Sequence, residues 1–212
     1  MLKLYYSPGT CSMASHITLE ETGAPYETQP ILFSKGEQQS EAYLKVNPRG
    51  KVPALQLDEG QVLTENTAIL SYLAKKFPGA NLWLGDPTSE ARALSIMGWF
   101  STTVHPAFAH FARPERFTAD AAGVDKVKEQ GRKTFWGCLQ EIDQMLADKE
   151  WVLGSQFTVC DPLALVFYGW GLRAELPMKQ LKNYSALKER LLKRPAVRKI
   201  LEREQSLILT AA

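Results

Sequence analysis

The sequence has little cysteine, little net charge and no long apolar run near either end, and each shortage excludes something. Its 212 residues hold three cysteines, Cys11, Cys138 and Cys160, an odd set spread far apart. None of the paired spacings that hold zinc is present, and no metal is expected. A disulfide framework does not fit so few thiols; free thiols in a reducing compartment do. Lys and Arg number 25 against 23 Asp and Glu, for a net charge of +2. That is no footprint for nucleic acid, although local positive charge could still attract a small anion. The longest apolar run near a terminus is too short to cross a bilayer. Met1-Leu2-Lys3-Leu4-Tyr5-Tyr6 lacks the layered layout of a signal peptide and reads at once as a strand. A cytoplasmic location is therefore expected. No internal repeat or low-complexity tract is found.

The chain is long enough for one large domain or two small ones. Its first eighty residues alternate types. Strands are expected over 3–6, 26–32, 54–57 and 62–63, and helices over 12–22, near 41–45 and after Thr64, which is read as a cap. Asn47-Pro48-Arg49-Gly50 is turn chemistry, and Asp58-Glu59-Gly60 closes a hairpin. The order β-α-β-α-β-β-α gives two parallel strands joined by a crossover and then a hairpin, a small α/β layer. A linker follows over 81–87, where Asp86 and Pro87 supply an N-cap and a first-turn proline. Beyond it the strand signals stop. Phe135, Cys138, Leu139, Ile142, Met145 and Leu146 form a helical stripe, and two further helices are expected around Leu187–Leu192 and Val197–Leu201.

Two segments carry chemistry. Tyr5-Tyr6-Ser7-Pro8-Gly9-Thr10-Cys11-Ser12 reads as a strand, a tight turn and a thiol at the mouth of a helix. Helix-start N–H groups and the positive end of the helix dipole favour thiolate over thiol, so a partly ionised Cys11 is expected. With Ala14 where a second cysteine would complete a dithiol, redox chemistry at Cys11 would be monothiol. Val52-Pro53 is a candidate cis peptide before a strand. A cis bond there would leave the Val52 N–H and C=O free to pair with an extended ligand.

These motifs, with Asn47-Pro48-Arg49-Gly50-Lys51-Val52-Pro53-Ala54-Leu55, Thr64-Glu65-Asn66 and Phe157-Thr158-Val159-Cys160-Asp161, resemble in order the bacterial glutathione S-transferases, and Cys11 resembles their beta class. The resemblance runs from residue 1 to about residue 205. It implies a thioredoxin-like α/β domain over 1–80, the linker 81–87, an all-α domain over 88–212 that forms an electrophile pocket, a homodimer, and glutathione as cosubstrate. The activity implied is conjugation of the glutathione thiolate to small hydrophobic electrophiles, in detoxification. Two alternatives stay open: a glutathione-dependent thiol transferase or peroxidase with Cys11 as covalent nucleophile, and a non-catalytic protein that binds apolar ligands or partners.

The resemblance also implies roles. Cys11, His105 and Tyr6 are the catalytic candidates, with the phenol aimed at the site and the imidazole holding a proton or polarising the sulfur. Ser12, Lys35, Val52, Pro53, Glu65 and Asn66 are the candidate glutathione contacts. Lys35 takes the glycyl carboxylate, Val52 and Pro53 the cysteinyl backbone, and Glu65 with Asn66 the γ-glutamyl end. Phe108 and Trp170 are the candidate electrophile-pocket residues. Around His105 the sequence departs from the pattern: Gly98 replaces an asparagine and Pro106 a lysine, and Pro106 is expected to kink or break its helix. Thr158 and Asp161 read as a capping box that serves folding rather than catalysis.

Overall fold

The computed structural model describes residues 1–210. Strand β1 spans Leu2–Tyr6, and its period-two alternation sends Leu2, Leu4 and Tyr6 to one face and Tyr5 to the other. Helix α1, Ser12–Glu21, crosses over to β2, Tyr26–Pro30, which pairs parallel with β1. A short helix α2, Glu41–Val46, precedes β3, Ala54–Gln56, and β4, Val62–Thr64. The four strands lie in the order β2-β1-β3-β4, with the last two pairings antiparallel. Helix α3, Asn66–Lys76, then packs Ile69 and Leu73 with Leu2, Leu4 and Tyr6 beneath the sheet. Thr64 does not cap it. Thr64 closes β4, its hydroxyl accepts from Arg49 Nη1 at 3.1 Å, and Glu65 occupies the capping position.

Helices make up the rest: α4 (Pro87–Trp99), α5 (His105–Ala112), α6 (Val124–Met145), α7 (Cys160–Arg173), α8 (Lys182–Leu192) and α9 (Pro195–Arg203). Asp86 caps α4 by accepting from the Ser89 N–H at 2.9 Å. Of the kink or break expected at Pro106, the break does not occur: the chain stays helical through it. The segment Phe100–Val104 winds as a π-helix, and the His105 N–H reaches back to Phe100. The wider turn accommodates a residue that has no N–H to give and whose ring would collide with the carbonyl four residues earlier. No helix among the described residues is long and apolar enough to cross a membrane.

Helix α1 is the hinge of the molecule. Every residue from Ser12 to Leu19 is buried. The helix packs on α3 on one flank and on α7 and α9 on the other. Its polar residues therefore need partners across both interfaces. Ser15 finds Asn66 Oδ1 at 2.7 Å, and His16 Nδ1 finds Glu204 Oε1 at 2.8 Å. At the start of α7 Asp161 reaches back to Thr158 as expected, but Val159 rather than Thr158 occupies the capping position. Asp161, wholly buried, accepts from the Thr158 N–H at 2.7 Å and the Thr158 hydroxyl at 3.2 Å, and also reaches the Val152 N–H at 2.8 Å.

Candidate active site

The turn before α1 is tied by its own hydroxyls. Thr10 Oγ1 donates to the Ser7 carbonyl at 2.8 Å, and Ser12 Oγ accepts from the Ser7 N–H at 3.0 Å. The helix-start N–H groups are used inside the same turn. Ser12 donates to Thr10 Oγ1 at 3.3 Å, Met13 to the Thr10 carbonyl at 3.1 Å, and Ala14 to the Cys11 carbonyl at 3.2 Å. Ser12 itself is fully buried in this network, so its hydroxyl is not presented to a ligand. That corrects the expectation that Ser12 contacts glutathione.

The Cys11 sulfur is likewise not the ionised group expected. Burial pushes its pKa up to about 12, with Glu65 adding to the rise. Its own backbone N–H, the Asn66 amide and the Lys51 charge oppose this without overcoming it. The thiol therefore keeps its proton at neutral pH and donates it to the Val52 carbonyl at 3.6 Å. The dipole argument failed because the N–H groups that carry its partial charge are already spoken for.

Val52-Pro53 is a cis peptide. No hydrogen bond within the described residues engages the Val52 N–H. The preceding carbonyl, of Lys51, is held from two sides, by the Tyr43 hydroxyl at 2.6 Å and Asn47 Nδ2 at 2.7 Å. Gly50, at φ +59, lies so close to the Gln38 carbonyl that a Cβ there would sit 2.8 Å from it. The loop is thus fixed by backbone contacts that exclude a side chain.

Glu65 is exposed and strained, at φ 70 and ψ 126. A non-glycine residue held there costs about 1–3 kcal/mol, which the surrounding structure must offset. The turn at Glu65 opens α3 at Asn66, where the first helical N–H groups have no partner within the helix. Asn66 is only partly available to a ligand: Nδ2 donates to the Cys11 carbonyl at 3.0 Å, while Oδ1 takes the Ser15 hydroxyl. Its side chain locks α3 to α1, and its backbone N–H is what it offers.

His105 packs edge-on against Trp170 at 4.9 Å. Burial, helped by the Lys51 charge, lowers its pKa to about 4. It is a neutral imidazole at physiological pH, able to polarise a sulfur but not to hold a proton for it. Phe108 stacks on Trp170 at 4.3 Å, both are at most 7% exposed, and Trp170 Nε1 donates to the Gly9 carbonyl at 3.1 Å. These two aromatics are core pillars behind the site rather than walls of an open pocket, which corrects that expectation. Tyr6 is also misplaced by the sequence reading. Its ring is buried on the α3 face of the sheet against His16, 4.6 Å away, in a different apolar cluster from the one Cys11 borders. Lys35 lies exposed on the turn Phe33–Lys35.

The structure therefore gathers Cys11, Lys51, Val52, Pro53, Glu65, Asn66 and His105, and leaves Tyr6, Ser12, Phe108 and Trp170 in supporting positions. Lys51, Tyr43 and Asn47 were missed as site builders, although all three lie in or beside the turn motif. Among the described residues no cluster could hold a metal ion.

Residues 1–75 match the family model for the glutathione S-transferase N-terminal domain. The chain is 32% identical to glutathione S-transferase GstA of Escherichia coli O157:H7, over 96% of this chain and 98% of that one. It is also similar to solved structures. A Sulfitobacter glutathione transferase homologue with bound glutathione shares 31% identity and a TM-score of 0.91, with 96% and 98% of the two chains covered. The beta class glutathione S-transferase of Sphingomonas chungbukensis shares 36% identity and a TM-score of 0.84, with 95% and 98% covered.

Proposed function

As the chain belongs to the glutathione S-transferase family, we propose that it binds glutathione on the surface built by Val52, Glu65 and α3, and conjugates its thiolate to small hydrophobic electrophiles. The observation that carries this is the Val52 N–H, unpartnered among the described residues, beside a Val52 carbonyl that among them accepts only the weak Cys11 S–H bond. That is a short open strand edge, able to pair with the cysteinyl peptide units of an extended tripeptide. The N–H groups opening α3 suit the γ-glutamyl carboxylate, and the exposed Glu65 carboxylate suits its ammonium. Lys35 takes the glycyl carboxylate.

With the tripeptide held at both ends, its sulfur lies by Cys11 and His105. The neutral imidazole and the Cys11 thiol hydrogen-bond it, and holding it in place supplies much of the rate. The thiolate attacks the electrophile, a C–S bond forms, and the leaving group departs with the bonding pair. Residues 1–80 hold glutathione and 81–87 link them to a helical part over 88–212, of which residues 211–212 lie outside the described residues. The electrophile site lies in front of the Phe108 and Trp170 pillars. The enzyme acts as a cytoplasmic homodimer in detoxification.

Calorimetric titration of the reduced protein with glutathione tests the reading. Saturable binding that weakens at least tenfold in Glu65→Ala is expected. Absence of binding would overturn it in favour of a binding protein for apolar ligands.

A further inference from the structure

Helix α7 ends on a cation, Arg173, that lies across the thiol turn. A Cβ placed on Gly9 would sit 2.5 Å from Arg173 Nη2 and 3.6 Å from Cζ, so the guanidinium fills the space over that glycine. It does not hold the turn. The Gly9 N–H already goes to Glu204, and the Gly9 carbonyl to Trp170. Nor does it close its own helix, because Arg132 takes the carbonyls of Ala174 and Glu175 just past the end. Arg194 and Arg198 nearby in the fold pair with Glu21 and Glu202, whereas Arg173 pairs with no carboxylate among the described residues. A last-turn arginine suits the negative end of the helix dipole, but that role is met in any solvated direction and does not require a place over Gly9.

The guanidinium borders a cavity of about 110 Å³. Pro8, Gly9 and Thr10 form one wall, Trp170 and Arg173 a second, and Leu207, 53% exposed, is an apolar lip on the third. The volume has room for a carboxylate and the carbons beside it, about three to four waters' share. Glu204 also borders it, but that side chain is buried and both its oxygens are committed, to Gly9 and to His16. The cavity adjoins the place of reaction: Thr10 precedes Cys11, and Trp170 meets His105 at 4.9 Å. Two peptide units separate Gly9 from Cys11, so the guanidinium lies within about 12 Å of the Cys11 α-carbon. A small acid and the glutathione sulfur together bridge such a span. The residues assigned above to glutathione's own carboxylates, at Lys35 and the start of α3, do not border this cavity. Resting on that glutathione-binding reading, we infer that Arg173 fixes the carboxylate of the electrophile, so that the substrates of this enzyme are small carboxylic acids with an apolar body. The planar guanidinium fork matches a carboxylate through two parallel N–H bonds. The body of the acid lies along Leu207 and Trp170, with its electrophilic carbon toward the sulfur. For an aryl halide the thiolate forms the C–S bond, the halide leaves with the C–halogen pair, and the carboxylate is unchanged.

The test compares 4-chloro-3-nitrobenzoate with its amide on glutathione-loaded wild type, Arg173→Gln and Arg173→Lys. Each rate is divided by the rate of the same compound with free glutathione. Wild type is then expected to favour the acid about tenfold in kcat/KM. Arg173→Gln should lose that preference, and Arg173→Lys, which keeps the charge without the fork, should retain about a third of it. Calorimetric binding of the unreactive 3-nitrobenzoate and 3-nitrobenzamide to the glutathione-loaded proteins reads the same preference without turnover. Equal handling of acid and amide by wild type overturns the inference and leaves the function standing. So does an equal loss on both compounds in Arg173→Gln, because the guanidinium would then only be positioning the thiol turn. Failure of the wild type to bind glutathione at all sinks the functional reading, and this inference with it.

Discussion

The amide N–H of Gly9 donates to Oε2 of Glu204 at 3.1 Å, joining the turn that presents Cys11 to the end of α9. The Gly9 carbonyl is held at the same time by Trp170. Both polar atoms of one peptide position in the thiol turn are thus gripped by the helical part. The other oxygen of Glu204 meets His16 Nδ1, with both side chains fully buried. His16 Nε2 has no partner among the described residues, so the tautomer with its proton on Nδ1 is the one that strands no donor.

Glu204→Ala strands two buried donors at once and should cost about 3–5 kcal/mol. Urea denaturation is expected to show the midpoint fall with little change in slope. Glu204→Gln keeps one acceptor and should cost less. An unchanged midpoint in Glu204→Ala would show that the clamp does not hold the fold.

A protonated Cys11 predicts slow alkylation. Its thiol, pushed up to about 12, should react with iodoacetamide at pH 7 at least tenfold more slowly than free cysteine. Conjugation by Cys11→Ala should fall about tenfold, the loss of one hydrogen bond to the thiolate, without being abolished. Rapid labelling, with conjugation abolished in the variant, would favour the covalent mechanism instead.

His105 predicts a pH dependence of stability. Its folded pKa of about 4 lies below the value of about 6.5 in an unfolded chain, so the unfolded state takes up the proton first. The stability that goes with the neutral ring is full above pH 6.5 and is lost as pH falls through 4. Relative to His105→Gln, wild type should lose about 2–3 kcal/mol between pH 7 and pH 4. Urea titrations at both values would reveal it, and parallel curves for the two proteins would refute it.

Asp161→Ala leaves the N–H groups of Val152 and Thr158 without acceptors in the core. A cost of about 3 kcal/mol is expected, with unchanged activity per folded molecule. Lost activity in protein that remains folded would contradict the structural role assigned to this carboxylate.

Much of this was legible in the residues. The strand of Leu2–Tyr6, the Asp86–Pro87 helix start, the stripe of Phe135 to Leu146, and the Thr158–Asp161 box are set by neighbours a few positions away, and periodicity or cap chemistry reports them directly. Thr64 was misread because a hydroxyl before a helix looks like a cap from sequence alone, while the chain used the strained Glu65 instead. That the helix runs on through Pro106 was not legible, because the sequence does not show that five preceding residues can wind as a π-turn.

The sequence by itself determined the order of elements, the Val-Pro loop, the thiol at a helix start and the family. Tertiary structure alone decided which of the named groups can act. Tyr6 was turned into the α3 face and Ser12 into its own turn, and Phe108 and Trp170 became pillars behind the site. Cys11 and His105 were kept neutral by burial. The reason is physical. A helix or turn is decided by short-range contacts along the chain, whereas the charge on a buried group depends on the solvent it has lost and on fields from segments far away in sequence.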